Sequence, residues 1–83
     1  MKITYSAWLK DKVGIGEETV MLPADVHNVG MLLDWLGSRG PRYEQAFEFI
    51  EVVKVAVNHV YVDNDHAVSN DDEVILFPPI AGG

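Results

Sequence analysis

The chain ends in Val74-Ile75-Leu76-Phe77-Pro78-Pro79-Ile80-Ala81-Gly82-Gly83, a strand-like run followed by a proline pair and small residues. Pro78 and Pro79 have fixed φ and no backbone donor, so they stop a strand and hold the last residues extended. Gly82 and Gly83 lack a Cβ and can thread a passage too narrow for side chains. Residues 80–83 project by at most roughly 13–14 Å, at about 3.3–3.6 Å per residue. The group delivered at the end is the Gly83 carboxylate. A frayed end of small residues is the bland alternative.

Other chemistry is scarce. His27, His59 and His66 fall in expected turns, without the i, i+4 pair of a helical metal site. Asp63, Asp65, Asp71, Asp72 and Glu73 lack the glycine and terminal glutamate spacing of an EF-hand loop, and turn chemistry accounts for them. Gly14-Ile15-Gly16 reads as a hairpin turn and not as a phosphate-binding loop, since no G-x-x-x-x-G-K-[ST] pattern occurs. With no catalytic constellation of its own, the chain needs a partner to activate the carboxylate, normally with ATP as an acyl-adenylate. Whether sulfur or a lysine amine then receives the acyl group is open at this point.

The elements that must position the tail are set by periodicity. Residues 2–9 read as a first strand, with Ile3, Tyr5 and Ala7 on one face, and Glu18 to Leu22 as its hairpin partner. Asn28 is the expected N-cap of a helix whose apolar positions Val29, Leu32, Leu33 and Leu36 share one face. Gly30 and Gly37 weaken that helix by about 1 kcal/mol each relative to alanine, so tertiary packing must hold it. Gly40-Pro41 is expected to close it. Tyr43, Ala46, Phe47 and Ile50 predict a second, short helix. Strands are expected over 52–57, 60–62 and 73–77, separated by turns at Asn58-His59, 63–66 and 69–72. One main helix and four or five strands make an α+β, two-layer domain with the helix covering one sheet face.

Composition sets limits. Eighty-three residues form a single domain, 1–83, near the size at which one core suffices. The absence of cysteine excludes disulfides and thiolate metal sites. A net charge of −7 argues against nucleic acid, and no apolar run reaches the roughly 18 residues of a membrane span. A cytoplasmic location is expected.

Phe77-Pro-Pro-Ile-Ala-Gly-Gly83 resembles the C-terminal signature of the small subunit of molybdopterin synthase, a ubiquitin-like sulfur carrier. The resemblance extends to the first strand and turn up to Gly14, to Val29–Leu36, to Val55–Asn58 and to Asp72–Gly83. It departs at Asp71, where the family usually has glycine. The resemblance implies a β-grasp (ubiquitin-like) fold, with the last strand beside the first at the sheet centre and 78–83 a flexible, extended tail. It implies that Gly83 is adenylated by an E1-like activating enzyme and converted to a thiocarboxylate. Gly82, Ala81 and Ile80 would form the threading tail. Sulfur would be donated inside the large subunit, in a heterotetramer, to build a dithiolene from cyclic pyranopterin monophosphate. No cofactor would bind this chain, since ATP and magnesium belong to the activating partner. Related carriers serving thiamine, cysteine or tRNA thiolation, and ubiquitin-like protein modifiers, end in the same dipeptide. Phe77, Pro78 and Pro79 are expected in the partner interface, because such apolar groups bury little in their own core. Alternation from Val74 leaves the facing of Phe77 ambiguous. Tyr61 and Lys10 join the interface by family resemblance.

Overall fold

A computed structural model describes residues 1–48 and 53–78. Among them, eight elements succeed one another: β1 (Lys2–Tyr5), α1 (Trp8–Val13), β2 (Glu17–Thr19), α2 (Val29–Gly37), α3 (Pro41–Ala46), β3 (Lys54–Val57), β4 (Val60–Val62) and β5 (Glu73–Phe77). The strands form one mixed sheet in the order β2-β1-β5-β3-β4. β5 lies in the middle, parallel to β1 and antiparallel to β3. This is an α+β, ubiquitin-like arrangement.

Period-two alternation decides which sheet face is dry. Ile3 and Tyr5 of β1, Val74 and Leu76 of β5, and Val55 and Val57 of β3 are buried. They pack with Leu9, Val13, Val29, Leu32, Leu33, Leu36 and Phe47 in a single core cluster. Leu32, Leu33 and Leu36 have no exposed surface, and each such side chain contributes roughly 1.5–3 kcal/mol by leaving water. Tertiary burial of this kind offsets the two helical glycines of α2.

The N-terminus of α2 shows how its backbone donors are satisfied. Asn28 is the N-cap, its side chain accepting from the Met31 amide at 2.9 Å. The Val29 and Gly30 amides reach across to the carbonyls of His66 and Asn64, at 3.0 and 2.8 Å. A Cβ at Gly30 would stand 3.4 Å from that Asn64 oxygen, so glycine allows this loop to lie close against the helix. Three helix donors that would otherwise be orphaned thus find partners.

Several sequence-based boundaries are corrected. The first strand stops at Tyr5 and does not run to residue 9. Ala7 takes φ 53, leaves the strand face and is exposed, and 8–13 turns into a helix that buries Leu9 and Val13. Gly14-Ile15-Gly16 therefore comes after a helix: Gly14, at φ 98, is its left-handed cap, and its amide reaches the Lys10 carbonyl at 2.8 Å. The second strand is Glu17–Thr19, shorter than expected and shifted forward. Gly40 does not close α2, which ends at Gly37 with Ser38 as cap; it is the N-cap of α3, with Pro41 in the first turn. β3 begins at Lys54. Residues 49–52, with the expected helical Ile50 and strand residue Val52, lie outside the described residues.

The Asn58-His59 turn joins β3 to β4 with positive φ at both positions, 51 and 71. That geometry favours Asn-Gly. Asp71 is not among the residues with positive φ, so its turn does not demand the family's glycine.

One polar cluster ties the sheet edge to the helical layer. The Glu18 carboxylate on β2 accepts from the hydroxyls of Tyr5 and Tyr43, at 2.7 and 2.8 Å, and from Arg39 Nη1 at 2.9 Å. The Arg39 guanidinium lies over the Trp35 and Tyr43 rings, 5.2 and 4.8 Å from their centroids. Burial alone would raise the Glu18 pKa, but the three donors outweigh it and hold the carboxyl below its usual range. Burial, reinforced by hydrogen bonding to Glu18, pushes both tyrosine hydroxyls up, so they stay protonated donors.

Two of these features can be tested by substitution. A depressed folded-state pKa stabilises the fold fully above the unfolded value of about 4.3, and that contribution fades as pH falls below it. Glu18→Ala leaves the buried Tyr5 hydroxyl without its acceptor and should cost about 1–3 kcal/mol at neutral pH. Urea titrations from pH 3 to 7 should show a shallower acid limb for the variant; an equally steep limb would assign acid sensitivity to other groups. His59→Gly should raise stability by about 1 kcal/mol by relieving a left-handed residue, read as a higher melting temperature.

Candidate functional site

β5 fixes where the C-terminus leaves the domain. Bonded on both sides, it carries the chain up the centre of the sheet and ends at Phe77, beside Tyr5–Ser6 on one flank and Lys54 on the other. The Ser6 amide bonds the Leu76 carbonyl at 3.0 Å, so pairing with the first strand continues to the sheet's end. Residues 79–83, and with them Pro79, Ile80, Ala81, Gly82 and the Gly83 carboxylate, lie outside the described residues.

A groove of about 720 Å³ opens at this end, and Ser6, Ala7, Trp8, Lys54, Tyr61, Phe77 and Pro78 are among its lining residues. Phe77 belongs to the face opposite the helices, because Val74 and Leu76 take the core positions. It is half-buried. Its ring meets Tyr61 of β4 with centroids 5.6 Å apart and planes at 45°. Tyr61 itself is 71% exposed. Two aromatic rings therefore stand together on the sheet face opposite the helices, the Tyr61 ring largely open to solvent.

Pro78 departs from its expected exposure. It is buried just past the end of β5, where it lines the groove. The chain is thus still held against the domain one residue beyond the strand. Lys10 is placed apart from this constellation: it is exposed on α1, where its side chain runs beside Gly16, and it does not line the groove.

Sequence reasoning misses Trp8 and Lys54. Trp8 is 39% exposed at the start of α1, turned outward by the left-handed Ala7. Its signal lies in Leu9 and Val13, an i, i+4 apolar pair followed by Gly14, which marks one helical turn and its cap. Lys54 is, in sequence, only the polar member of a β-branched run. Its register against Phe77 is what brings it to the groove. Among the described residues, no group of three or more histidine, aspartate or glutamate side chains is placed to hold a metal ion, and no helix is long and apolar enough to cross a membrane.

Known proteins share this layout. The molybdopterin synthase sulfur carrier subunit of Escherichia coli (strain K12) is 30% identical over 83 residues, covering 100% of this chain and 99% of that protein. The subunit of the same name from Dictyostelium discoideum is 31% identical over 84 residues, covering 99% and 94%. Among solved structures, SAMP1 from Haloferax volcanii superposes with a TM-score of 0.75 at 26% identity, covering 100% of this chain and 98% of that one. The model of the ThiS family matches residues 3–83, from the first strand through the terminal Gly-Gly, and the chain belongs to that family.

Proposed function

We propose that this protein is the sulfur-carrying small subunit of a molybdopterin synthase, and that its working group is the Gly83 carboxylate. The observation carrying the reading is the Phe77–Gly83 sequence, whose first residue ends the central strand of a ubiquitin-like sheet. A central strand bonded on both sides is a rigid base, so a thin tail can be inserted into a partner without loosening the domain. The full-length likeness to molybdopterin synthase sulfur carrier subunits supports the same reading.

An ionised carboxylate is a poor electrophile. In the proposed sequence its oxygen attacks the α-phosphorus of ATP inside an E1-like partner that holds the magnesium, and pyrophosphate leaves. A sulfide equivalent then displaces AMP from the acyl-adenylate, leaving a thiocarboxylate on Gly83. In the large subunit the sulfur forms a bond to a substrate carbon and its bond to the Gly83 carbonyl carbon breaks. Water restores the carboxylate. Two such deliveries supply the two sulfurs of a dithiolene built on cyclic pyranopterin monophosphate. The same proposal includes a heterotetramer with the large subunit and a cytoplasmic setting.

Deleting Gly83 should abolish thiocarboxylate formation while leaving the melting temperature unchanged. Intact-mass measurement after incubation with activating enzyme, ATP and a sulfur source checks this. Sulfur on the shortened chain would overturn the assignment, and Gly83 recovered in an isopeptide bond to lysine would replace it with protein modification. In this proposal half-buried Phe77 and exposed Tyr61 belong to the large-subunit interface, with Phe77 as an aromatic anchor and Pro78 and Pro79 beside it. Phe77→Ala should weaken association by about 2 kcal/mol or more. Because Phe77 lies outside the core cluster, calorimetry should show normal folding; a variant that melts early yet binds normally would remove Phe77 from the interface.

A further inference from the structure

Helix α2 gives Val29, Leu32, Leu33 and Leu36 to the core and leaves Met31 and Asp34 exposed on its outer side. There a shallow depression of about 360 Å³ is lined by Asp25, Val26, Met31, Asp34 and Trp35. Its apolar lining is a valine, a thioether and an indole, and its charged lining groups are two carboxylates. Among the described residues, neither carboxylate is held by an ion pair or a side-chain hydrogen bond. Next to the depression, the Arg39 guanidinium stacks on the Trp35 ring, 5.2 Å from its centroid, with Glu18 taking up its charge at 2.9 Å. We propose that this depression is a docking site for an arginine side chain on the basic surface of a partner protein. The guanidinium meets Asp25 and Asp34, and its stem lies along Val26, Met31 and Trp35.

Charge complementarity and the mixed lining favour this occupant over others. A metal ion is poorly served, since among the described residues no group of three or more histidine, aspartate or glutamate side chains could hold one. A side chain with an apolar stem and a cationic head matches both halves of the lining at once. Arginine suits it better than lysine, because guanidinium is planar, weakly hydrated and stacks on aromatic rings. Trp35 already shows that preference with Arg39, whose own charge is satisfied by Glu18. His27 touches Met31 only through its backbone amide, 3.4 Å from Sδ, and is not a lining residue. The net charge of −7 steers basic partners in and repels a second copy of this chain. The depression lies on the helical side, whereas Phe77 belongs to the opposite sheet face. A partner seated here therefore leaves the end of β5 free, and one carrier can be held from behind while another protein takes its sheet face.

The chain's two tryptophans make the test internal, since Trp35 lines this depression and Trp8 lines the sheet groove. The probe is a short amidated peptide of arginines between glycines, titrated into the isotope-labelled chain at physiological salt and followed by heteronuclear NMR. The Trp35 indole and the Met31 methyl should shift and saturate while the Trp8 indole stays in place. The double variant Asp25→Asn, Asp34→Asn should weaken that binding about five- to tenfold, the scale of exposed ion pairs. Asp63→Asn with Asp71→Asn removes the same charge elsewhere and should leave the affinity as it was. An unmoved Trp35 indole, or one that moves no more than Trp8, would overturn the proposal. Equal weakening by the two double variants would do so too, by reducing the contact to net charge, as would a lysine peptide that binds as well as the arginine one. Trp35 shifts that grow with protein concentration in the absence of peptide would make the occupant a second copy and overturn it as well. The readout involves no sulfur chemistry, so failure here leaves the sulfur-carrier reading standing, and the reverse.

Discussion

The rest of the structure depends on β5 having neighbours on both edges. The last strand to be made is the one on which the sheet closes: parallel to β1, antiparallel to β3, with Val74 and Leu76 completing the dry face. A central strand cannot slip by one residue without turning Leu76 outward and Phe77 into the core, so its register is strongly specified. That constraint also fixes the exit. Because Tyr5 pairs with Leu76 and Lys54 with Phe77, the groove walls and the start of the tail come from elements about 20 to 70 residues apart in sequence, brought together by one register.

The outer strand β2 is held differently. It is three residues long and, among the described residues, pairs only with β1, so little ladder secures it. Glu18 faces inward, opposite Ile3, where an aliphatic residue is the ordinary choice. The carboxylate is tolerated because Tyr5, Tyr43 and Arg39 present three donors, and it converts an inward polar position into a tie between sheet edge and helices. By contrast, the Lys2–Glu17 pair at 3.5 Å is solvent-exposed on both sides and contributes little.

Much of this is legible in the chain. Val29, Leu32, Leu33 and Leu36 announce α2, Asn28 announces its cap, and the β-branched run around Val55–Val57 announces β3, because each is written within a few residues. The features that stay hidden depend on distant partners. Ala7 adopts a left-handed conformation that alanine disfavours, so no local signal ends β1 at Tyr5. Gly40 serves α3 and not α2, since glycine before proline suits either role. Glu18 reads as an ordinary strand residue because its donors lie 13, 21 and 25 positions away. The facing of Phe77 is undecidable without knowing that Val74 lies in the core.

The site divides its labour along that line of legibility. The end proposed to react is written in the last residues and needs no fold to be recognised, whereas the groove beside the end of β5 is assembled by register. Trp8 reaches the groove only because α1 interrupts the first strand, Lys54 only because β3 runs antiparallel to β5, and Tyr61 only because a two-residue turn of left-handed residues folds β4 back. On the proposed reading, substitutions at Gly82 and Gly83 act on the chemistry, while substitutions in α1, β3 or the 58–59 turn act on the surface beside the end of β5. A chain with this sheet and another terminal sequence would keep the groove and lose the handle, and one with this terminus on a slipped β5 would keep the handle and lose its seat.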